Sequence, residues 1–281
     1  MRVLVVGLLP YDSGKTSVAA ALTSELRARG IDAVAAKPVG AHSAWSQHHT
    51  VELSFKLGLL VGEDAYTLWL ASGKAEPIEL TSTLDVLTAP PDPAKAFYEA
   101  ASQITWQAAV IRETHLEDAP KTRHILIPEN IALTTPPLQD ELLKLASALK
   151  AKPAKRREVA KVIAEASAKA EKSLKVLEER HEVLIVESYN DAAAPTPSLS
   201  YSTVIAVAPG RALVYPGDRY RLAAKAARQP PNQLTVDKIT PLLKPKHTIP
   251  TKPRDKSSLY TPREDTQKLA DIILATAKTA R

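Results

Sequence analysis

Apolar runs separated by short polar breaks divide the chain into alternating strands and helices. Val3-Leu4-Val5-Val6 is apolar at every position, the pattern of a strand covered on both faces. Val18, Ala21, Leu22 and Leu26 then recur at helical spacing up to Gly30, which predicts a helix opening at Gly14-Lys15-Thr16. Ile31-Asp32-Ala33-Val34-Ala35-Ala36 reads as a second strand, ending at Lys37-Pro38-Val39-Gly40. Strand, helix and strand together make a βαβ unit with a right-handed parallel crossover.

From residue 42 to about 182 the alternation changes. Helical patterns cover 51–60 and 64–72, and Pro90-Pro91-Asp92-Pro93 breaks the chain before a helix near 94–102. The apolar segments 105–113 and 121–127 are predicted to pair as a hairpin, followed by helices at 138–150 and 154–180. Val183-Leu184-Ile185-Val186 again has no polar position, so it is placed centrally in a parallel sheet. A further buried strand at 203–208 ends at Pro209-Gly210-Arg211. A helix at 217–228, short strands near 234–236 and 248–249, an irregular stretch at 241–262 and a helix at 263–280 complete the chain. The pattern predicts an α/β fold with a mostly parallel central sheet, a single domain over 1–281 with an insertion at about 42–182. No internal repeat is visible.

Composition narrows the classes. With 281 residues, 44% of them hydrophobic, the chain can fill a sizeable core. No apolar stretch is long enough to span a bilayer, and the first strand begins at Arg2-Val3, so a cytoplasmic protein without a signal peptide is expected. The absence of cysteine excludes disulfides, Cys-ligated zinc and thiol catalysis. The 22 prolines against 9 glycines, with one methionine, suggest a chain stiffened for a thermophilic setting. A net charge of +6 fits an acidic partner, or a charged surface with a polyphosphate pocket. No Lys/Arg run is interleaved with aromatics as single-strand binders require, so nucleic acid is not the favoured partner.

The candidate chemistry lies first in Gly7-Leu8-Leu9-Pro10-Tyr11-Asp12-Ser13-Gly14-Lys15-Thr16, which joins the first strand directly to a helix. That layout is a phosphate-binding loop: helix N-terminal amides and the helix dipole attract phosphate, while the Lys and Thr meet the terminal phosphates and Mg²⁺. The loop is a variant, because Leu9 stands where the strict motif has glycine and the nearest upstream glycine is Gly7. The expected ligand is ATP or GTP with Mg²⁺, bound by Tyr11, Asp12, Ser13, Gly14, Lys15, Thr16 and Ser17. Asp12 either orients a nucleophile or braces the loop. Glu187, at the end of the second all-apolar strand, is placed to hold the metal with Thr16, and Asp191 is a weaker candidate. Arg211 is a candidate phosphate or base contact. His42, His48 and His49 lack zinc spacing and read as a solvated loop. Trp45, Trp69 and Trp106 read as core anchors.

Several of these motifs together resemble one family. The loop, Lys37-Pro38-Val39-Gly40, Gly62-Glu63-Asp64-Ala65, the proline-rich lead at 90–94 and the 183–187 strand are similar to dethiobiotin synthetase and its amidoligase relatives. The chain also looks like archaeal predicted P-loop ATPases and GTPases. The resemblance implies a P-loop NTPase three-layer sandwich, with Lys37 contacting the reacting carboxyl and phosphoryl groups and with Thr16, Asp64 and Glu187 around magnesium. It implies ATP-dependent phosphoryl transfer to a small carboxylate acceptor; with Lys15 and Asp12 of the loop, Lys37 completes the candidate catalytic residues. Two departures stand out. The loop is longer than the family's, and Ser188-Tyr189-Asn190-Asp191 replaces its glycine run. The segment 105–180 has no counterpart. The loop alone is also similar to that of polynucleotide 5′-hydroxyl kinases. A nucleotide-gated switch, with a homodimer as one form, is the third alternative.

Overall fold

In the computed structural model the apolar N-terminal run forms β1 (Arg2–Gly7), and every residue of it is buried. The structure describes residues 1–97, 102–230, 233–255, 258–261 and 263–279. The chain divides into two compact units, Met1–Pro38 with Thr67–Thr81 and Glu171–Arg281, and Val39–Tyr66 with Ser82–Ala170.

In the first unit β1 is an interior strand. A second parallel strand, β2 (Ala33–Ala36), follows it in the chain, but the two are not neighbours. β8 (Val183–Glu187) lies between them, parallel to both, and β9 (Thr203–Ala208) runs parallel to the other edge of β1. β10 (Arg211–Pro216) and β11 (His247–Pro250) extend that edge antiparallel, giving the order β11-β10-β9-β1-β8-β2. The helix Lys15–Ala28 connects β1 to β2 and buries Val18, Ala19, Leu22 and Leu26 against Val3, Val5, Val183, Ile185, Ile205 and Val207. These strand residues alternate along their strands, so they share one face of the sheet. Leu269, Ala270 and Ile273 of the terminal helix Glu264–Thr279 join the same core.

The second unit has its own sheet, with strands in sequence order: β3 (Val39–Ser43), β4 (Leu84–Thr88), β5 (Ala108–Leu116), β6 (Pro120–Leu126) and β7 (Lys152–Pro153). The expected hairpin is β5–β6, antiparallel from Val110↔Leu126 to Leu116↔Pro120. Helices His49–Leu57 and Pro136–Ala148 bring Val51, Leu138, Leu142 and Leu145 onto Leu87, Ala109 and Val110.

Several expectations are corrected. The second strand does not extend to Gly40: after Lys37-Pro38 the chain leaves the first sheet, and Val39 opens β3 in the other. Strands β3, β4 and β10 were not expected, because His42 and Asp85 interrupt short apolar runs and β10 offers only Ala212-Leu213-Val214-Tyr215 between Arg211 and Pro216, too short to give a clear period. The segment 234–236 is not a strand. Thr235 makes one isolated bridge to Ala192, and Val236–Ile239 is a helical turn. Of the helix expected near 94–102, residues 98–101 lie outside the described residues, and 93–95 form a turn. Trp45 is 71% exposed rather than a core anchor, and Trp106 lies half-buried with the Arg156 guanidinium 3.8 Å from its ring centre. Among the described residues no helix is long and apolar enough to cross a membrane.

Candidate functional site

Because β1, β8 and β2 run parallel, their C-terminal ends lie on one edge of the sheet, where open α/β sheets bind ligands. The loop 8–14 leaves β1 there, Glu187 ends β8, and Lys37 follows β2. Register decides which way the acid points. Glu187 pairs with Val5 and continues the alternation Val183, Ile185, Glu187, so it shares the sheet face that carries the helix Lys15–Ala28. In the first turn of that helix, the Thr16 hydroxyl donates to Glu187 Oε1 at 2.9 Å. Lys37 Nζ donates to the same oxygen at 2.6 Å and to the Ser188 carbonyl at 3.3 Å. The side chains of Lys37 and Glu187 are 6% and 0% exposed. A buried carboxylate is thus flanked by an ammonium and a hydroxyl, whose attraction repays part of the cost of taking both charges out of water.

The loop returns over Gly7. A Cβ there would lie 2.7 Å from Ser13 Oγ, 2.9 Å from the Leu9 carbonyl and 3.0 Å from Lys15 Nζ, so Gly7 performs the close-approach role that the strict motif gives to the residue at Leu9. The Leu8 amide bonds the Val207 carbonyl at 2.9 Å, which fixes the loop's departure from the sheet. Asp12 and Gly14 both adopt left-handed backbone, with φ of 52° and 84°. Left-handed residues in a short loop turn backbone N–H groups toward a common concavity, the geometry of an anion nest. The helix behind it starts at Gly14 without a side-chain cap and without an acid in its first turn, so its N-terminal amides and dipole remain directed at the loop. Lys15 is buried and its Nζ lies 3.3 Å from Ser13 Oγ.

A cleft of about 260 Å³ adjoins the loop. Asp12, Ser13, Gly14, Ser17 and Val18 form one side, 207–210 a second, and 251–254 with Asp265 a third. Arg254 and Asp265 are ion-paired at 2.6 Å with side chains 2% and 9% exposed. Sequence reasoning did not find this wall. Asp265 lies toward the opposite end of the chain from the loop, and its local signal is only that of an acid in the first turn of a helix.

The other sequence candidates fall as follows. Tyr11 is 72% exposed at the tip of the loop. Asp64 sits in the first turn of the helix Glu63–Ala71 and belongs to the second unit. Asp191 contributes its backbone carbonyl, which accepts the Val236 amide at 2.9 Å. Arg211 is exposed and opens β10. Thr16 and Glu187 supply oxygen donors only, the set that Mg²⁺ takes. Among the described residues no group of three or more His, Asp or Glu side chains is arranged to hold a metal, so phosphate oxygens and water would complete such a shell.

The second unit holds a different buried cluster. His42 is 4% exposed, not solvated as expected, and its Nδ1 lies 2.9 Å from Asp85 Oδ1. Gly62 donates its amide to Asp85 Oδ2 at 2.6 Å, and Arg112 Nη2 lies 3.8 Å from the same oxygen. Burial by itself would push the Asp85 carboxyl up, but His42, Arg112 and the Gly62 amide hold it below the ordinary carboxylate range. Arg112, fully buried, also bonds the Leu60 carbonyl at 2.6 Å and Ser82 Oγ at 3.0 Å. The cluster ties β3, β4 and β5 together. Compared with known proteins, the chain matches no family model and no curated sequence significantly.

Proposed function

We propose that the chain is a Mg²⁺-dependent enzyme that binds a nucleoside triphosphate and transfers a phosphoryl group to a small acceptor, with the first unit a P-loop NTPase sandwich. The observation that carries the reading is the convergence of Thr16 and Lys37 on the buried Glu187 beside an uncapped helix start. The loop amides and Lys15 hold the β- and γ-phosphates. Thr16 and Glu187 hold the cation, which when bound neutralises charge on the phosphate oxygens. Lys37 lies against the metal-binding carboxylate, where its ammonium can also meet a transferring phosphoryl group or an acceptor carboxylate. Asp12, exposed on the loop and lining the cleft, orients the attacking group. The similarity of Lys37-Pro38 and the 183–187 strand to dethiobiotin synthetase supports a carboxylate acceptor.

The test is calorimetric titration of the full chain with non-hydrolysable triphosphate analogues, with and without Mg²⁺, beside Lys15→Ala. Mg²⁺-dependent binding that the variant loses is the expected result. Binding unchanged in Lys15→Ala would overturn the reading.

A further inference from the structure

The positive charge of the chain is unevenly placed. Residues 209–254 carry ten Lys and Arg against two Asp, so the remainder is net acidic although the whole is +6. Within that segment the helix Gly217–Ala226 buries Tyr220, Ala223 and Ala224 and leaves Arg219, Arg221 and Lys225 exposed. Arg228 is exposed in the left-handed turn that follows. The helix packs on β10 and on the helical turn Val236–Ile239, which packs on the turn Thr240–Leu242. From there the chain passes through the exposed Lys244 and Lys246 into β11. β10 runs antiparallel to β9 and ends with Pro216 opposite Thr203, and the Lys246 amide bonds the Val214 carbonyl at 2.8 Å. The helix start and the two lysines therefore share the sheet edge opposite to the one that the loop 8–14 leaves.

Nothing in the fold accounts for these six cations. Among the described residues no carboxylate pairs with any of them, whereas Arg2, Arg29 and Arg180 of the same unit are each paired with at least one. Arg219 stands in the first turn of its helix, where the dipole disfavours a cation, and Arg221 and Lys225 are like charges at i, i+4. Local stability favours other residues at these positions, so the matching charge lies outside the chain. We propose that this face docks the phosphate backbone of double-stranded nucleic acid, without reading its bases. Guanidinium groups meet phosphate oxygens in pairs, which suits a patch rich in arginine. Over the roughly 15 Å of a ten-residue helix a duplex presents about nine phosphate charges, and a single strand about half as many. A single strand would also need stacking platforms, and the aromatics of these elements, Tyr215 and Tyr220, are buried. The outward helix face sets only Leu222 and Ala226 among its cations, too narrow for the broad apolar face that an interfacial helix lays into lipid headgroups.

The experiment follows the fluorescence anisotropy of a labelled duplex of about 20 base pairs and arbitrary sequence, titrated with the full chain without nucleotide at about 50 to 200 mM salt. Each phosphate contact contributes about −0.9 to the slope of log affinity against log salt, so roughly four to six contacts should weaken binding by about 10²–10³-fold across that range. Arg221→Ala with Lys225→Ala, both at exposed helix positions, should reduce the slope by about 2. Lys172→Ala with Lys175→Ala removes the same charge from exposed sites on the helix Val159–Arg180 and should leave the slope unchanged. Lys244→Gln with Lys246→Gln reads the same face from outside the helix, should the first pair fail to fold. Lys15→Ala should bind the duplex as wild type does, which separates this surface from the nucleotide reading. No binding at the lowest salt, binding insensitive to salt, or equal loss in the two alanine pairs would overturn the proposal. So would loss in Lys15→Ala alone, tighter binding to the separated single strand, or tighter binding to phosphatidylserine vesicles, which would make the face a lipid surface.

Discussion

Replacing both members of the Lys37–Glu187 pair should destabilise the fold by clearly less than the sum of the two single replacements. The pair is 2.6 Å apart with side chains 6% and 0% exposed, so neither charge can turn to water when its partner goes. Removing one partner of a buried pair costs about 3–5 kcal/mol. At roughly 2–4 °C of melting temperature per kcal/mol for a protein of this size class, Lys37→Met and Glu187→Gln should each melt about 6–20 °C lower. The double variant carries neither charge, and the amide oxygen that Glu187→Gln introduces can still accept from Thr16. Its loss should therefore fall short of the sum by about 1–3 kcal/mol. The assay is thermal and urea unfolding of the four proteins at low and high salt, and the coupling should survive salt because a buried pair is little screened. Additivity within about 0.5 kcal/mol would refute the argument. So would single variants that melt like wild type.

Three further outcomes are expected. Gly7→Ala forces a methyl group to within 2.9 Å of the Leu9 carbonyl and 3.0 Å of Lys15 Nζ, and should cost about 1–3 kcal/mol and weaken triphosphate binding; calorimetry and unfolding that match wild type would contradict the loop geometry. Arg112→Lys keeps the charge but cannot span the Leu60 carbonyl, Ser82 and Asp85, and should lower stability by about 3 kcal/mol or more in urea unfolding, whereas a near-neutral result would count against the cluster's structural role. Burial, and then the Arg112 charge, lower the His124 pKa from 6.5 to about 4, and its Nε2 accepts the Leu60 amide at 3.2 Å, which requires the neutral ring. Between those values the unfolded chain binds a proton that the folded chain refuses, so this stability is present above pH 6.5 and drains away as pH falls toward 4. Melting profiles of wild type and His124→Gln should converge in that window, and parallel profiles would contradict the assignment.

The apolar runs announced β1, β8 and β9 almost to the residue, because a strand buried on both faces needs no alternation and so leaves a continuous signal. The hairpin β5–β6 and the long helices were legible for the same reason of period. Strands β3 and β4 were not. His42 and Asp85 look like surface residues in a local window, and only their mutual bond and the Arg112 guanidinium make them fit for an interior.

The sequence alone determined that this chain joins a buried strand through a glycine-flanked loop to a helix opening on Lys15-Thr16, since those signals are local and periodic. It also named Glu187 and Lys37, by their places at strand ends. Tertiary structure decided the rest. Insertion of β8 between β1 and β2 brings Glu187 to both Thr16 and Lys37, because a parallel neighbour in register Val5↔Glu187 sets the face on which the acid lies. Likewise, only the packing of the terminal helix against the helix Lys15–Ala28, through Leu269, Ala270 and Ile273, carries Asp265 to the cleft beside the loop. Such contacts join residues too far apart in the chain for any local pattern to record, and they form only when the shared core is buried.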